Sequence, residues 1–186
     1  ANNRPLNPVL NYSVSDNIAT IMIDSPPVNA IGLATRIALR QGLEQALADE
    51  QVQAIVLICA GKTFFAGADI TEFDLETYPK PDLWEILSQY EAANKLLIAA
   101  IHGTALGGGL ELSLCCHYRI ATPSAKLGLP EVNLGLLPGA GGTQRLPRLV
   151  GLSIALDHIA FGKPMSASQA LSNGLVNRLA SDEDNL

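Results

Sequence analysis

The chain has 186 residues, enough for one domain, and 48% of them are hydrophobic, so it can bury a sizeable core. Charged residues make up 16%, below the usual quarter, which excludes an intrinsically disordered chain. The formal net charge of -6 argues against a nucleic-acid partner, which demands a basic face, but leaves room for an anionic small ligand held by a local positive patch.

In chain order, residues 18–23 (IATIMI) form the first β-rich run. The helical spacing of Leu33, Ile37, Leu39, Leu43, Ala46 and Leu47 predicts a helix over 33–47. Residues 52–58 (VQAIVLI) and 97–102 (LIAAIH) read as two more strands, and such near-continuous apolar runs suit strands covered on both faces. Between them, 74–82 (DLETYPKPD) carries two prolines and several charges and reads as a mobile surface loop. Asp82 can cap a helix running to residue 95, with Trp84, Leu87 and Tyr90 on one face. Further helices are expected over 109–116, 142–150, 153–161 and 166–172, and a last short strand over 175–179. Strand and helix alternate, so the class is α/β with largely parallel pairing. Cys59, Cys115 and Cys116 form no C-x-x-C pair and read as small buried hydrophobes in a reducing compartment. No apolar stretch reaches membrane-spanning length unbroken, and the N-terminus lacks the basic-then-apolar pattern of a signal peptide. A cytoplasmic location with no membrane partner is expected.

Several motifs are excluded. Gly61-Lys62-Thr63 resembles the end of a P-loop, but that pattern needs Gly at position 56 and Val56 stands there. No G-x-G-x-x-G opens a helix after a strand, and no G-x-S-x-G is present. His102, His117 and His158 lack metal-ligand spacing and read as structural, so no metal site is expected.

Two glutamates remain. Glu111 follows Gly107-Gly108-Gly109-Leu110, and Glu131 ends Gly128-Leu129-Pro130-Glu131, just ahead of LPGAGGTQR at 137–145. An isolated glutamate beside glycine is by default a surface residue. Bare glycine backbone, however, lets a substrate approach closely, and two carboxylates there could move two protons on one substrate. Ala66-Gly67-Ala68-Asp69-Ile70 reads as a strand-to-helix turn capped by Asp69. A backbone N–H at such a turn can point at an oxygen, and a second from the 107–109 loop would complete a two-donor oxyanion hole.

These stretches resemble the crotonase (enoyl-CoA hydratase/isomerase) superfamily. The matching segments are SPPVNAIG (25–32), FFAGADI (64–70), AAIHGTALGGGLEL (99–112), KLGLPEVNLGLLPGAGGTQRLPRLVG (126–151) and SASQALSNGLV (166–176), in the family's order across nearly the whole chain. GLEL, CHYRIA and LPEVNLGLLPGAGGTQRLPRLVG look most like the N-terminal hydratase/isomerase portion of multifunctional β-oxidation enzymes. The resemblance implies one α/β domain over 1–186, built as a spiral of repeated β-β-α units. It implies reversible hydration of a trans-2-enoyl-CoA to a 3-hydroxyacyl-CoA, with coenzyme A as part of the substrate and no separate cofactor. The thioester carbonyl would lie between the N–H groups of Ala68 and Gly108. Ala66, Gly67, Asp69, Ile70, Gly107, Pro138 and Gly139 would line the substrate and CoA site. Glu131 would transfer the proton at Cα, and Glu111 would orient and deprotonate the water that adds at Cβ. Lys62 and Arg36 are candidates to meet the CoA phosphates. Two alternatives stay open: isomerisation of a 3-enoyl-CoA to a 2-enoyl-CoA, and a non-catalytic module that binds CoA or a partner chain.

The sequence also departs from the family. Position 117 is His where many single-function hydratases carry Asp, and 95–97 read Lys-Leu-Leu where Lys-Pro is common. The family's domain usually continues for several helices past the position of Leu186. Those helices help close the acyl pocket and build the usual trimer. A C-terminally truncated domain is therefore expected, either a homo-oligomer or part of a longer multifunctional chain.

Overall fold

A computed structural model describes residues 7–186. It opens with a hairpin of β1 (Leu10–Ser15) and β2 (Ile18–Ile23). The two residues between them, Asp16 and Asn17, have φ of 50° and 63°. That left-handed pair is the turn whose twist matches a hairpin. β1 escapes sequence reading because polar Asn11, Ser13 and Ser15 fill an edge strand with little to bury. Helix α1 (Leu33–Ala48) follows, then β3 (Ala54–Cys59), α2 (Leu83–Glu91) and β4 (Leu96–Ile101). From β4 the chain makes one move twice: a strand in the large sheet, a short strand in the small sheet, then a helical turn. β4 leads to β5 (Thr104–Leu106) and α3 (Gly108–Leu114). β6 (Tyr118–Ala121) leads to β7 (Lys126–Gly128), a 3-10 turn (Glu131–Leu134), α4 (Gly142–Val150) and α5 (Leu152–Phe161). β8 (Met165–Ser166), α6 (Ala167–Ser172) and β9 (Arg178–Leu179) close the described chain.

The large sheet has the order β1-β2-β3-β4-β6-β9 and is parallel except for β1. The small sheet has the order β5-β7-β8. This is the expected α/β spiral, with β-β-α units clearest after residue 96.

On β2 and β3 alternate residues are fully buried, Ala19, Ile21 and Ile23 on the one and Ile55 and Leu57 on the other, whereas β4 buries Ala99, Ala100 and Ile101 in a row. The expectation of full cover on both faces is corrected for β2 and β3, which are covered on one face while the intervening residues are half-buried or, at Ile18, exposed. α1 lies close on that covered face. A Cβ on Gly42 would stand 2.9 Å from Ile21 Cγ2, so glycine sets the approach of helix to sheet.

Arg36 corrects a second expectation. It is wholly buried in α1 and unable to meet a phosphate. Its Nε donates to Pro81 O at 2.6 Å, Nη2 to Pro79 O at 3.1 Å, and Nη1 to Ile31 O at 3.1 Å and Glu72 Oε2 at 2.7 Å. Glu72 in turn accepts from Leu33 N at 2.8 Å. The 78–82 stretch is therefore tied down rather than loose. α2 also ends earlier than expected, at Glu91, because Lys95 leaves the helix to donate to Ala46 O at 2.8 Å, beside the end of α1. Cys59, Cys115 and Cys116 are buried free thiols, and burial pushes Cys115 and Cys116 up to about 12. Among the described residues no helix is long and apolar enough to cross a membrane.

Candidate active site

The small sheet brings the two glycine segments together. Leu106 at the end of β5 donates to Phe65 O at 3.1 Å, and Gly107 donates to Gly128 O at 2.9 Å. α3 then starts against the 65–68 turn. A Cβ on Gly109 would fall 2.3 Å from Phe65 O, so the helix can sit there only without one. Gly107 carries the left-handed φ, 52°, while Gly108 is the first helical residue. At Gly108 the constraint is space rather than backbone conformation: a Cβ would press on Leu83 Cδ2 at 2.9 Å and reach 3.5 Å from Ala68 N. Gly108 opens α3, so its N–H has no intrahelical acceptor, and Gly108 and Ala68 line the same space.

That space is the inner end of a cavity of about 620 Å3. Ala66, Gly67, Ala68, Ile70, Gly107, Gly108, Glu111, Glu131 and Gly139 all line it. Two predicted site residues do not. Asp69 turns its carboxylate back onto its own turn, accepting from Thr71 N at 3.0 Å and Thr71 Oγ1 at 2.7 Å. Pro138 is buried and lies off the cavity wall. Lys62 is exposed.

Glu111 sits in the first turn of α3 and is 2% exposed. Its Oε1 accepts from Ala140 N at 2.9 Å and Gly142 N at 2.8 Å. Burial raises its pKa, and these two amides and the Arg145 charge partly offset that rise. Glu131 begins the 3-10 turn after Pro130. Its Oε2 is buried with no hydrogen-bond partner in the chain. Burial pushes its pKa up to about 7; its own backbone N–H opposes the shift, and the Glu111 charge adds to it. A Cβ on Gly107 would lie 3.0 Å from Glu131 Oε1, so the glycine also makes room for this carboxylate. Two carboxylates of the same type thus differ: one anchored by fixed donors, one with an oxygen left over and a pKa near neutrality.

The rest of the cavity is largely apolar, with Tyr78 and Asp82 the polar members of its lining. Phe73, Leu83 and Trp84 form one wall, and Leu134, Leu136 and Leu137 another. Trp84 is 51% exposed and lines the cavity instead of joining Leu87 and Tyr90 in the core. Sequence reading also missed Ala140 and Gly142 as donors to Glu111. The consecutive glycines 141–142 that open α4 were the available signal, because a helix start offers free N–H groups. His102 Nε2 pairs with Gly61 O at 3.0 Å, His117 Nδ1 accepts from Leu97 N at 3.0 Å, and His158 Nδ1 pairs with Lys163 O at 2.5 Å, all away from the cavity. Among the described residues no group of three or more His, Cys, Asp or Glu side chains stands together as a metal site would need.

Comparisons with known proteins place the chain in a family. The model of the family described as enoyl-CoA hydratase/isomerase matches residues 13–186. A peroxisomal bifunctional enzyme of Danio rerio is 49% identical over 166 residues, an overlap that takes in 89% of this chain and 23% of that protein. A glyoxysomal multifunctional protein of fatty-acid β-oxidation from Cucumis sativus is 46% identical over 91% of this chain and 25% of its own length. The chain thus spans about a quarter of these multifunctional relatives. A probable enoyl-CoA hydratase of Bacillus subtilis is 44% identical over 94% of this chain and 70% of its own. Among solved structures, DspI of Pseudomonas aeruginosa is 36% identical with a TM-score of 0.88, covering 98% of this chain and 72% of that one. An enoyl-CoA hydratase of Bacillus anthracis is 36% identical with a TM-score of 0.86, over 92% of this chain and 70% of its own. The chain belongs to the enoyl-CoA hydratase/isomerase family and has its crotonase-type fold.

Proposed function

We propose that this domain reversibly hydrates a trans-2-enoyl-CoA to a 3-hydroxyacyl-CoA, a step of fatty-acid β-oxidation. The observation that carries the reading is the convergence of Glu111 and Glu131 on one apolar cavity, beside the facing backbones of Ala68 and Gly108. In this reading the thioester oxygen accepts from the N–H groups of Ala68 and Gly108. As the enolate forms they stabilise its charge, by about 3 kcal/mol per donor. A water held between the carboxylates gives a proton to Glu111 while its oxygen bonds to Cβ, and Glu131 gives its proton to Cα. The π bond between Cα and Cβ is consumed, and the proton left on Glu111 returns to Glu131 through exchange with water. The Glu131 pKa of about 7 supports its role as donor, because a proton is still held there near neutrality. The apolar walls suit a fatty acyl tail, and coenzyme A is the handle of the substrate rather than a separate cofactor.

Incubation with crotonyl-CoA, following loss of the enoyl absorbance, tests the reading. Steady loss with formation of 3-hydroxybutyryl-CoA is expected; binding without turnover would leave a non-catalytic CoA module. A second reading, isomerisation of a 3-enoyl-CoA, is favoured by Glu131 Oε2, since a carboxylate with a free oxygen could carry one proton between two carbons. A 3-enoyl substrate offered in the same assay tests it.

A further inference from the structure

We propose that Glu91 and Arg145 are a positioning pair that sets the carboxylate of Glu111 for catalysis. The inference rests on the hydratase reading above. Arg145 on α4 spends its whole guanidinium on two partners. Nε and Nη2 grip Glu91 at the end of α2, at 3.0 and 2.9 Å, and Nη1 donates to Ala140 O at 3.2 Å. The fork is planar, so gripping one edge with a carboxylate fixes where the other edge points. It points at the loop that holds Glu111. Ala140 and Gly142 both donate to Glu111 Oε1, and Gly141 between them takes φ 91°. A Cβ on Gly141 would fall 2.0 Å from Arg145 Nη1, so the loop lies flat against the guanidinium only because it has none. The result is one connected path: Glu91, Arg145, the 140–142 backbone, then Glu111.

Stability alone does not account for this arrangement. The Glu91 side chain is 58% exposed against 19% for Arg145, and water at the carboxylate end screens what the pair adds to stability. The pair instead ties two helices to the one loop whose amides aim a carboxylate. It also sets charge. The charged and titratable groups near Glu111 are Arg145 from α4, whose charge acts on it, Glu131 from the 3-10 turn and Cys115 just after α3, both raised by the Glu111 charge, with Glu91 beyond Arg145. Of these Arg145 alone favours the ionised carboxylate that a base for water requires.

The test uses Arg145→Gln, Arg145→Lys and Glu91→Gln, with two measurements on each. The first is kcat and KM for crotonyl-CoA hydration; the second is the titration of Glu111 by carboxyl 13C NMR, assigned from its loss in Glu111→Gln. Arg145→Gln should lower kcat by about 10- to 100-fold, the usual result of a small misplacement, with KM near wild type. Its Glu111 midpoint should move to higher pH. Arg145→Lys keeps the charge and should hold the midpoint near wild type, while recovering only part of kcat because an ammonium cannot serve both partners. Glu91→Gln should lower kcat without raising the midpoint. A folded Arg145→Gln protein with unchanged kcat and unchanged midpoint would overturn the proposal; if that variant does not fold, unchanged kcat in both Arg145→Lys and Glu91→Gln would do the same. Should the wild-type protein fail to hydrate crotonyl-CoA, the hydratase reading falls, and the pair then stands or falls on the Glu111 midpoint in Arg145→Gln.

Discussion

Glu131 keeps one buried oxygen without a partner, and Glu111 has one oxygen taken by two amides. Glutamine at either position keeps the shape but cannot carry the proton. Glu111→Gln and Glu131→Gln should each lower hydratase turnover by ~10² to 10⁴ with the fold intact, measured by enoyl absorbance and circular dichroism. On the proposed hydratase reading, hydration starts with Glu131 protonated and Glu111 ionised, and dehydration starts with the reverse. Both are one-proton states of the same pair, so both directions should share one bell-shaped pH profile with its alkaline limb near pH 7. Stability should respond to the same proton. Glu131 has a folded pKa above the ordinary glutamate value, so its contribution is present below that value and is lost as pH rises toward about 7. Glu131→Gln should therefore melt higher than wild type at pH 8, and the gap should close toward pH 5. Gly108 and Gly135 separate space from conformation. Valine at 108 enters the gap beside Ala68 N and should cost about 10² to 10³ in kcat, the loss typical of one oxyanion donor. Gly135 has nothing within 4 Å of an added Cβ but a φ of 72°. Gly135→Ala should cost about 1 kcal/mol of stability and leave turnover near wild type, as melting and assay together would show.

At the scale of elements, Arg36 joins α1 to the 72–81 segment ahead of α2. Removing it strands Glu72, whose side chain is 12% exposed, so Arg36→Leu should destabilise the protein by about 3–5 kcal/mol in urea unfolding. Arg36→Met combined with Glu72→Leu should lose less, because no buried charge is left alone. Nothing in the order of residues announced this role, since an arginine in a helix is ordinarily solvated. What the sequence did make legible has strong local causes. β2 and β3 are long apolar runs, α1 has helical spacing, and Asp82 caps α2 by accepting from Glu85 N at 2.9 Å. The glycine segments 66–68 and 107–109 placed the cavity because close backbone approach leaves a mark on composition. The short strands β5, β7 and β8 left none, as two or three residues carry no periodicity and pair only because the chain has already been brought there. Trp84 shares its helical spacing with Leu87 and Tyr90 yet lines the cavity, since spacing sets a helix face but not what that face meets.

For the molecule as a whole, the site is drawn from residues 66–70, 73–84, 107–111 and 130–140, so it exists only when both sheets are in place. Its outer surface is uneven. α5 buries Ala155 fully, while Leu152, Leu156 and Phe161 stand 74%, 60% and 66% exposed. A helix with so much apolar surface in water promotes association. Sedimentation should show self-association that grows with concentration, and Leu152→Lys with Leu156→Lys should abolish it while hydration continues. The cavity wall carries a last consequence. Residues 70–84 are fastened near each end, by the Asp69 cap and Glu72 on one side and by Arg36 holding Pro79 and Pro81 on the other. Between the fastenings, 73–77 run exposed. On the proposed hydratase reading, such a span should act as a spring held at both ends, meeting a longer acyl tail by deflection at a cost that rises smoothly with each added carbon. Selection among substrates would then be a matter of stiffness, and turnover across a series of acyl-CoA lengths should grade rather than cut off at one.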